Sequence, residues 1–110
     1  MNPQSCFFIR ISKKYIRIRF RDILYIESVG NYVKIVTDTG SFLTPLTVKQ
    51  LERALPPDLF CRINRGSIVA MDRIVCFDRD SILLDNHVKI IFSERYRKEL
   101  EARITILTGG

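Results

Sequence analysis

Residues 60 to 74, FCRINRGSIVAMDRI, begin as an apolar strand, are interrupted by Arg62, Asn64 and Arg65, and resume at Ile68 and Val69 after Gly66 and Ser67. A stretch built for packing alone has no use for two guanidinium groups and an amide; these groups hydrogen-bond a polar partner. Strand alternation puts Arg62 and Asn64 on one side, away from Cys61 and Ile63, and that side is expected to face solvent. A charged outer face of an antiparallel sheet explains the same pattern, so this stretch alone leaves both readings open. Two other places offer similar groups. Asn31 lies in a short turn beside Tyr32 and Lys34, where plain turn chemistry is the competing reading because Asn tolerates positive φ. Ser93, Arg95, Arg97 and Lys98 open a final helix, whose free N–H groups could hold a phosphate. Cations in a first helical turn oppose the helix dipole, which points to an external anion.

Catalytic parts are scarce. His87 is the only histidine, set between Asn86 and Val88 in a hairpin turn, and no Gly-rich phosphate loop, Cys/His cluster or carboxylate pair accompanies it. The expectation is a protein that is not an enzyme and needs no metal or other cofactor. Cys6, Cys61 and Cys76 are odd in number and sit among apolar neighbours, which reads as reduced core thiols. The 18 Lys and Arg against 12 Asp and Glu leave a formal charge of +6, which favours a polyanionic partner. The excess is uneven: residues 1–55 hold nine basic and four acidic side chains, residues 56–110 nine and eight.

The elements that must position these groups can be read from periodicity. Strands are expected at 7–11, 14–20, 22–28, 32–38 and 41–45, with turns at Ser12–Lys13, Gly30–Asn31 and Asp38–Gly40. From Thr47 the period becomes helical, with Thr47 and Gln50 at capping-box spacing, Leu46 and Leu51 placed for a hydrophobic staple, and Pro56–Pro57 as the stop. Strands resume at 59–63, 67–71, 73–77, 81–85 and 88–92. Ser93 can cap a last helix in which Tyr96, Leu100, Ile104 and Leu107 recur at helical spacing, before a TGG tail expected to fray. With 110 residues, 46% of them apolar, the chain is sized for one domain over residues 1–110 with its own core. It shows no spanning segment and no signal-peptide pattern, so a cytoplasmic protein without membrane contact is expected.

Three stretches, DILYIESVGNYVKIVTDTG (22–40), LTVKQLERALPPDLFCRINRGSIVAMDRIV (46–75) and VKIIFSERYRKEL (88–100), together resemble the LytTR DNA-binding domain of bacterial response regulators, over roughly residues 8 to 105. The resemblance implies a mainly β fold, about ten strands in an elongated stack of antiparallel sheets with one short mid-chain helix and a C-terminal helix. It also implies loops laid into successive major grooves of a bent duplex, as the output module of a two-component transcription regulator, with pairs of domains on direct-repeat half-sites. A receiver or sensor domain would accompany it, and none is present in this chain. Carried over by position, Asn31 and Tyr32 would form the first base-reading loop, Asn64 and Arg65 the second, and Ser93 to Arg95 the third, with Arg62 and Lys98 on phosphates and Lys34 beside the first loop. Arg65 could give two hydrogen bonds to guanine O6 and N7, Asn64 could do the same for adenine, and Gly66 would ease a close backbone approach.

The chain departs from the family at Asn64-Arg65-Gly66 (usually His-Arg-Ser), at Ala70 (usually Asn) and at Glu94 within the third loop. Two other readings follow. One is a protein-interaction module that kept the scaffold and lost specific readout. The other is a single-strand-binding β platform, for which Tyr15, alternating with Arg17 and Arg19, is the one candidate place.

Overall fold

The computed structural model describes residues 4–109. The N-terminal MNP and Gly110, the last residue of the tail expected to fray, lie outside the described residues. Ten strands and two α-helices are present: β1 (Cys6–Ile11), β2 (Lys14–Arg19), β3 (Ile23–Val29), β4 (Tyr32–Thr37), β5 (Gly40–Thr44), α1 (Val48–Ala54), β6 (Phe60–Asn64), β7 (Ser67–Ala70), β8 (Ile74–Phe77), β9 (Ser81–Leu84), β10 (Lys89–Ile91) and α2 (Glu94–Arg103). They form a central five-stranded sheet ordered β5-β4-β3-β7-β6, a three-stranded sheet β10-β9-β8 and the β1–β2 hairpin, with every strand pairing antiparallel. One-turn 3-10 helices at Phe20–Asp22 and Met71–Arg73, which the sequence did not announce, lead into β3 and β8.

Because both faces of the central sheet are covered, its strands feed two cores. On one face Val33, Ile35, Ile26 and Ile68 pack under the hairpin and α1; Phe7, Phe20 and Phe60 meet edge to face there. On the other, Tyr25, Ile63 and Val69 pack against Ile82, Leu84 and Phe92, and Leu100 of α2 closes the layer. The stack is elongated, 56 × 37 × 23 Å. Helix α1 starts as expected: the Thr47 hydroxyl accepts the Gln50 N–H at 3.1 Å, and the Gln50 side chain accepts the Thr47 N–H at 2.9 Å.

Three expectations need correction. The last helix ends at Arg103, not Leu107, which is 89% exposed. β-branched Ile104, Thr105 and Ile106 disfavour another turn, and Arg103 turns aside to donate to the Phe60 and Pro57 carbonyls. Ser93 occupies the N-cap position, yet its hydroxyl makes no capping bond. Of the three cysteines only Cys61 is a core thiol, with its pKa pushed up by burial; Cys6 is half-buried and Cys76 exposed. The reason at Cys76 is position: β8 is an edge strand with an irregularity between Ile74 and Cys76, so only part of it faces the core.

Candidate nucleic-acid interface

The β3–β4 hairpin turns through Gly30 and Asn31, with Val29 paired to Tyr32. The positive φ falls on Gly30 (60°) and not on Asn31, the arrangement of a two-residue turn with glycine first. Asn31 is thus relieved of the backbone role that could have explained it, and its side chain stands exposed beside Tyr32. Lys34 is half-buried on the same hairpin, opposite Glu27 in register.

The β6–β7 turn, Arg65–Gly66, sits against that hairpin. The Ser28 N–H donates to the Gly66 carbonyl at 2.8 Å, and a Cβ on Gly66 would lie 3.4 Å from the Ser28 Cβ, an ordinary contact. On its other flank the turn is tied to the start of α2. The Asn64 amide nitrogen donates to the Ile91 carbonyl at 2.8 Å, and the Ser93 N–H donates to the Ile63 carbonyl at 3.0 Å. These bonds bring the 29–32, 64–67 and 91–95 turns side by side, and Asn31, Tyr32, Arg65, Glu94 and Arg95 of these turns, like Lys98 of α2, are exposed.

Arg62 and Asn64 do not point freely to solvent as strand alternation suggested. Alternation holds, with Cys61 and Ile63 buried and Arg62 and Asn64 half-buried on the other side, but that side is covered by Glu52 of α1 and Tyr96 of α2. The Arg62 side chain is 18% exposed: its guanidinium donates to Glu52 at 3.3 Å and to the Arg65 carbonyl, and it lies 5.7 Å from the Tyr96 ring centroid. Both ends of the Asn64 amide are also used, the nitrogen on Ile91 and the oxygen accepting the Gly66 N–H at 2.8 Å. Arg62 and Asn64, both singled out in the sequence, therefore build the turn from within.

Around the third turn, Phe92 is buried against Phe77 and fixes the chain before Ser93, itself half-buried. Arg95 stacks over Tyr96 at 5.6 Å, while Arg97 lies over Phe92 at 4.5 Å and donates to the Arg79 carbonyl. Glu94 occupies the first helical position, where a carboxylate favours the positive end of the helix dipole. Tyr96 and Glu52 are the contributors that periodicity hid: Tyr96 read as one more apolar position of a helix, and nothing in the sequence singled out Glu52. Among the described residues, Lys34, Arg65, Arg95 and Lys98 are in no ion pair, and no group of three or more potential metal ligands occurs. No helix of the described residues is long and apolar enough to cross a membrane.

The three polar turns, tied together by hydrogen bonds and with Arg65 and Arg95 exposed, are carried on an antiparallel stack, a combination suited to a polyanionic partner. Residues 8–105 match the LytTr DNA-binding domain family, and the chain belongs to that family, a DNA-binding domain of transcription regulators. It is 38% identical over 55 residues to the CO-responsive transcriptional regulator RcoM of Rhodospirillum rubrum, covering 50% of this chain and 23% of that one. It is 28% identical over 94 residues to the heme-containing CO-sensing transcriptional regulator RcoM 2 of Paraburkholderia xenovorans, covering 84% and 34%. The chain matches between 23% and 34% of the length of those relatives. The fold is shared with a solved LytTr DNA-binding domain from a Bacillus cereus protein described as a methyl-accepting/DNA response regulator, at a TM-score of 0.77 and 21% identity over 90% of this chain and 99% of that one.

Proposed function

We infer that the domain reads duplex DNA in a sequence-specific way through its three-turn edge, as the output module of a transcription regulator controlled by a receiver or sensor domain. The observation that carries this reading is the set of hydrogen bonds linking the three turns, Ser28 to Gly66, Asn64 to Ile91 and Ser93 to Ile63. Reading heads locked to one another need no ordering when they meet DNA, which lowers the entropic cost of binding. Arg65 is the principal base reader, its exposed fork suited to guanine O6 and N7; Asn31 and Tyr32 serve the neighbouring turn, and Ser93 to Arg95 the third. Lys34 and Lys98 take phosphates. Arg62 and Asn64 belong to the site as braces that fix the backbone under Arg65.

The β3–β4 and β6–β7 tips are two strand spacings apart, about 10 Å, far short of the ~34 Å helical repeat. Those two turns can therefore enter one major groove, roughly 12 Å wide. Selection of bound duplexes from a random pool tests specificity and half-site spacing together. A defined motif, lost at one position in Arg65→Ala, is expected; recovery of unselected sequence would overturn the reading.

A further inference from the structure

The β1–β2 hairpin carries a second surface that the three-turn edge does not use. Phe7, Ile9 and Ile18 point into the first core, so the alternate positions Phe8, Arg10, Tyr15, Arg17 and Arg19 are exposed on the outer face. Register sets Phe8 opposite Arg17 and Arg10 opposite Tyr15, with the Arg10 guanidinium 5.9 Å from the Tyr15 ring centroid. Phe8 is 61% and Tyr15 69% exposed. Lys13 and Lys14 add exposed cations at the turn. No carboxylate occurs from residue 4 to residue 21, and among the described residues none of these cations is in an ion pair.

Charge selects a polyanion; the open rings narrow it further. A duplex offers phosphates but keeps its bases stacked inside. A lipid surface offers phosphates too, but holding a protein there needs a broad apolar face, and the outward positions hold only two rings among arginines. Unpaired nucleic acid supplies both phosphates and free base faces. Phe8 and Tyr15 are diagonal neighbours on adjacent strands, roughly 7–8 Å apart, so consecutive bases of one strand could each take a ring. We propose that the outer face of this hairpin docks a single-stranded nucleic acid segment, with Phe8 and Tyr15 stacking on bases and Arg10, Arg17 and Arg19 holding phosphates.

The test is fluorescence anisotropy with a labelled oligothymidine of about twelve nucleotides, within the usual site size for such platforms, alongside a duplex that the protein binds. The double change Phe8→Ala with Tyr15→Ala touches only exposed rings; it is expected to weaken oligothymidine binding about tenfold or more while duplex affinity holds. Arg17→Glu, which keeps both rings, should weaken it too. Arg65→Ala should leave it unchanged. Equal oligothymidine affinity in the wild type and the double variant would overturn the proposal. So would capture by phosphatidylglycerol vesicles through these rings with no oligothymidine binding.

Discussion

The Asn64 side-chain nitrogen donates to the Ile91 carbonyl at 2.8 Å across 27 residues of chain, while its oxygen holds the Gly66 N–H at 2.8 Å. One amide therefore shapes the β6–β7 turn and fastens it to the segment that leads into α2. Replacing it leaves a backbone donor and an acceptor without these partners, a loss worth roughly 1–3 kcal/mol. Asn64→Ala should lower stability by about that amount in urea unfolding and speed amide exchange at Gly66. Asn64→Asp retains an acceptor for Gly66 and loses only the bond to Ile91. Unchanged exchange in both variants would show that the turns are held by other means.

Arg62 distinguishes a brace from a phosphate contact. A lysine keeps the charge but lacks the planar fork that reaches Glu52 and the Arg65 carbonyl while lying over Tyr96. If Arg62 fixes the turn, Arg62→Lys should weaken DNA binding nearly as much as Arg62→Ala. A phosphate contact would instead be largely kept by Lys. Titrating a bound duplex against both variants at one salt concentration separates the two.

Arg65 and Lys98 should fail in different ways. Arg65→Ala is expected to cost about 1–3 kcal/mol at one base pair and relax preference there. Lys98→Ala should weaken every sequence alike and reduce the salt slope by about one unit. Parallel measurements across a library of sites, repeated at rising salt, read both effects. Uniform loss from each substitution would abolish the distinction.

The pairing of Asp38 with Arg73 makes part of the stability pH-dependent. Arg73 donates to both Asp38 oxygens, at 2.9 and 2.6 Å, and to the Arg21 carbonyl at 2.7 Å, tying the 3-10 helix before β8 to the β4–β5 turn. The hydrogen bond from Arg73 holds the Asp38 carboxyl below its ordinary value of 3.8. A depressed folded pKa contributes stability that is present above 3.8 and lost as pH falls through the lower folded value. Wild type should exceed Asp38→Asn by on the order of 1 kcal/mol at neutral pH, since Asp38 is half exposed, and the gap should shrink below about pH 4. Thermal melts from pH 7 down to pH 2.5, roughly, follow it; a constant gap would mean that the carboxylate charge is irrelevant.

The strands and α1 were legible because their signals are local. Alternation in KYIRIRF, the Thr47–Gln50 box and the Pro56–Pro57 stop each act within a few residues. What the sequence concealed arises from contacts across the fold. Partners from α1, α2 and β10 made supports of Arg62 and Asn64, which alternation placed on a solvent side, and no local pattern marks Glu52, Tyr96 or the Ile91 carbonyl as those partners. Edge position, equally invisible in one dimension, left Cys76 exposed, and the β-branched run after Arg103 gave α2 a shorter run than its apolar spacing implied. Family motifs located the turns, whereas the physical roles inside them needed coordinates.

Amide chemical shifts followed while the protein is titrated with a duplex that it binds test the shared edge most directly. Asn31, Tyr32, Arg65, Gly66, Glu94 and Arg95 should all shift at one stoichiometry, with Asp38 and Gly40 at the far end of the central sheet unmoved. Shifts confined to a single turn, or to the opposite end of the sheet around Asp38 and Gly40, would contradict a DNA-reading surface made of three joined turns.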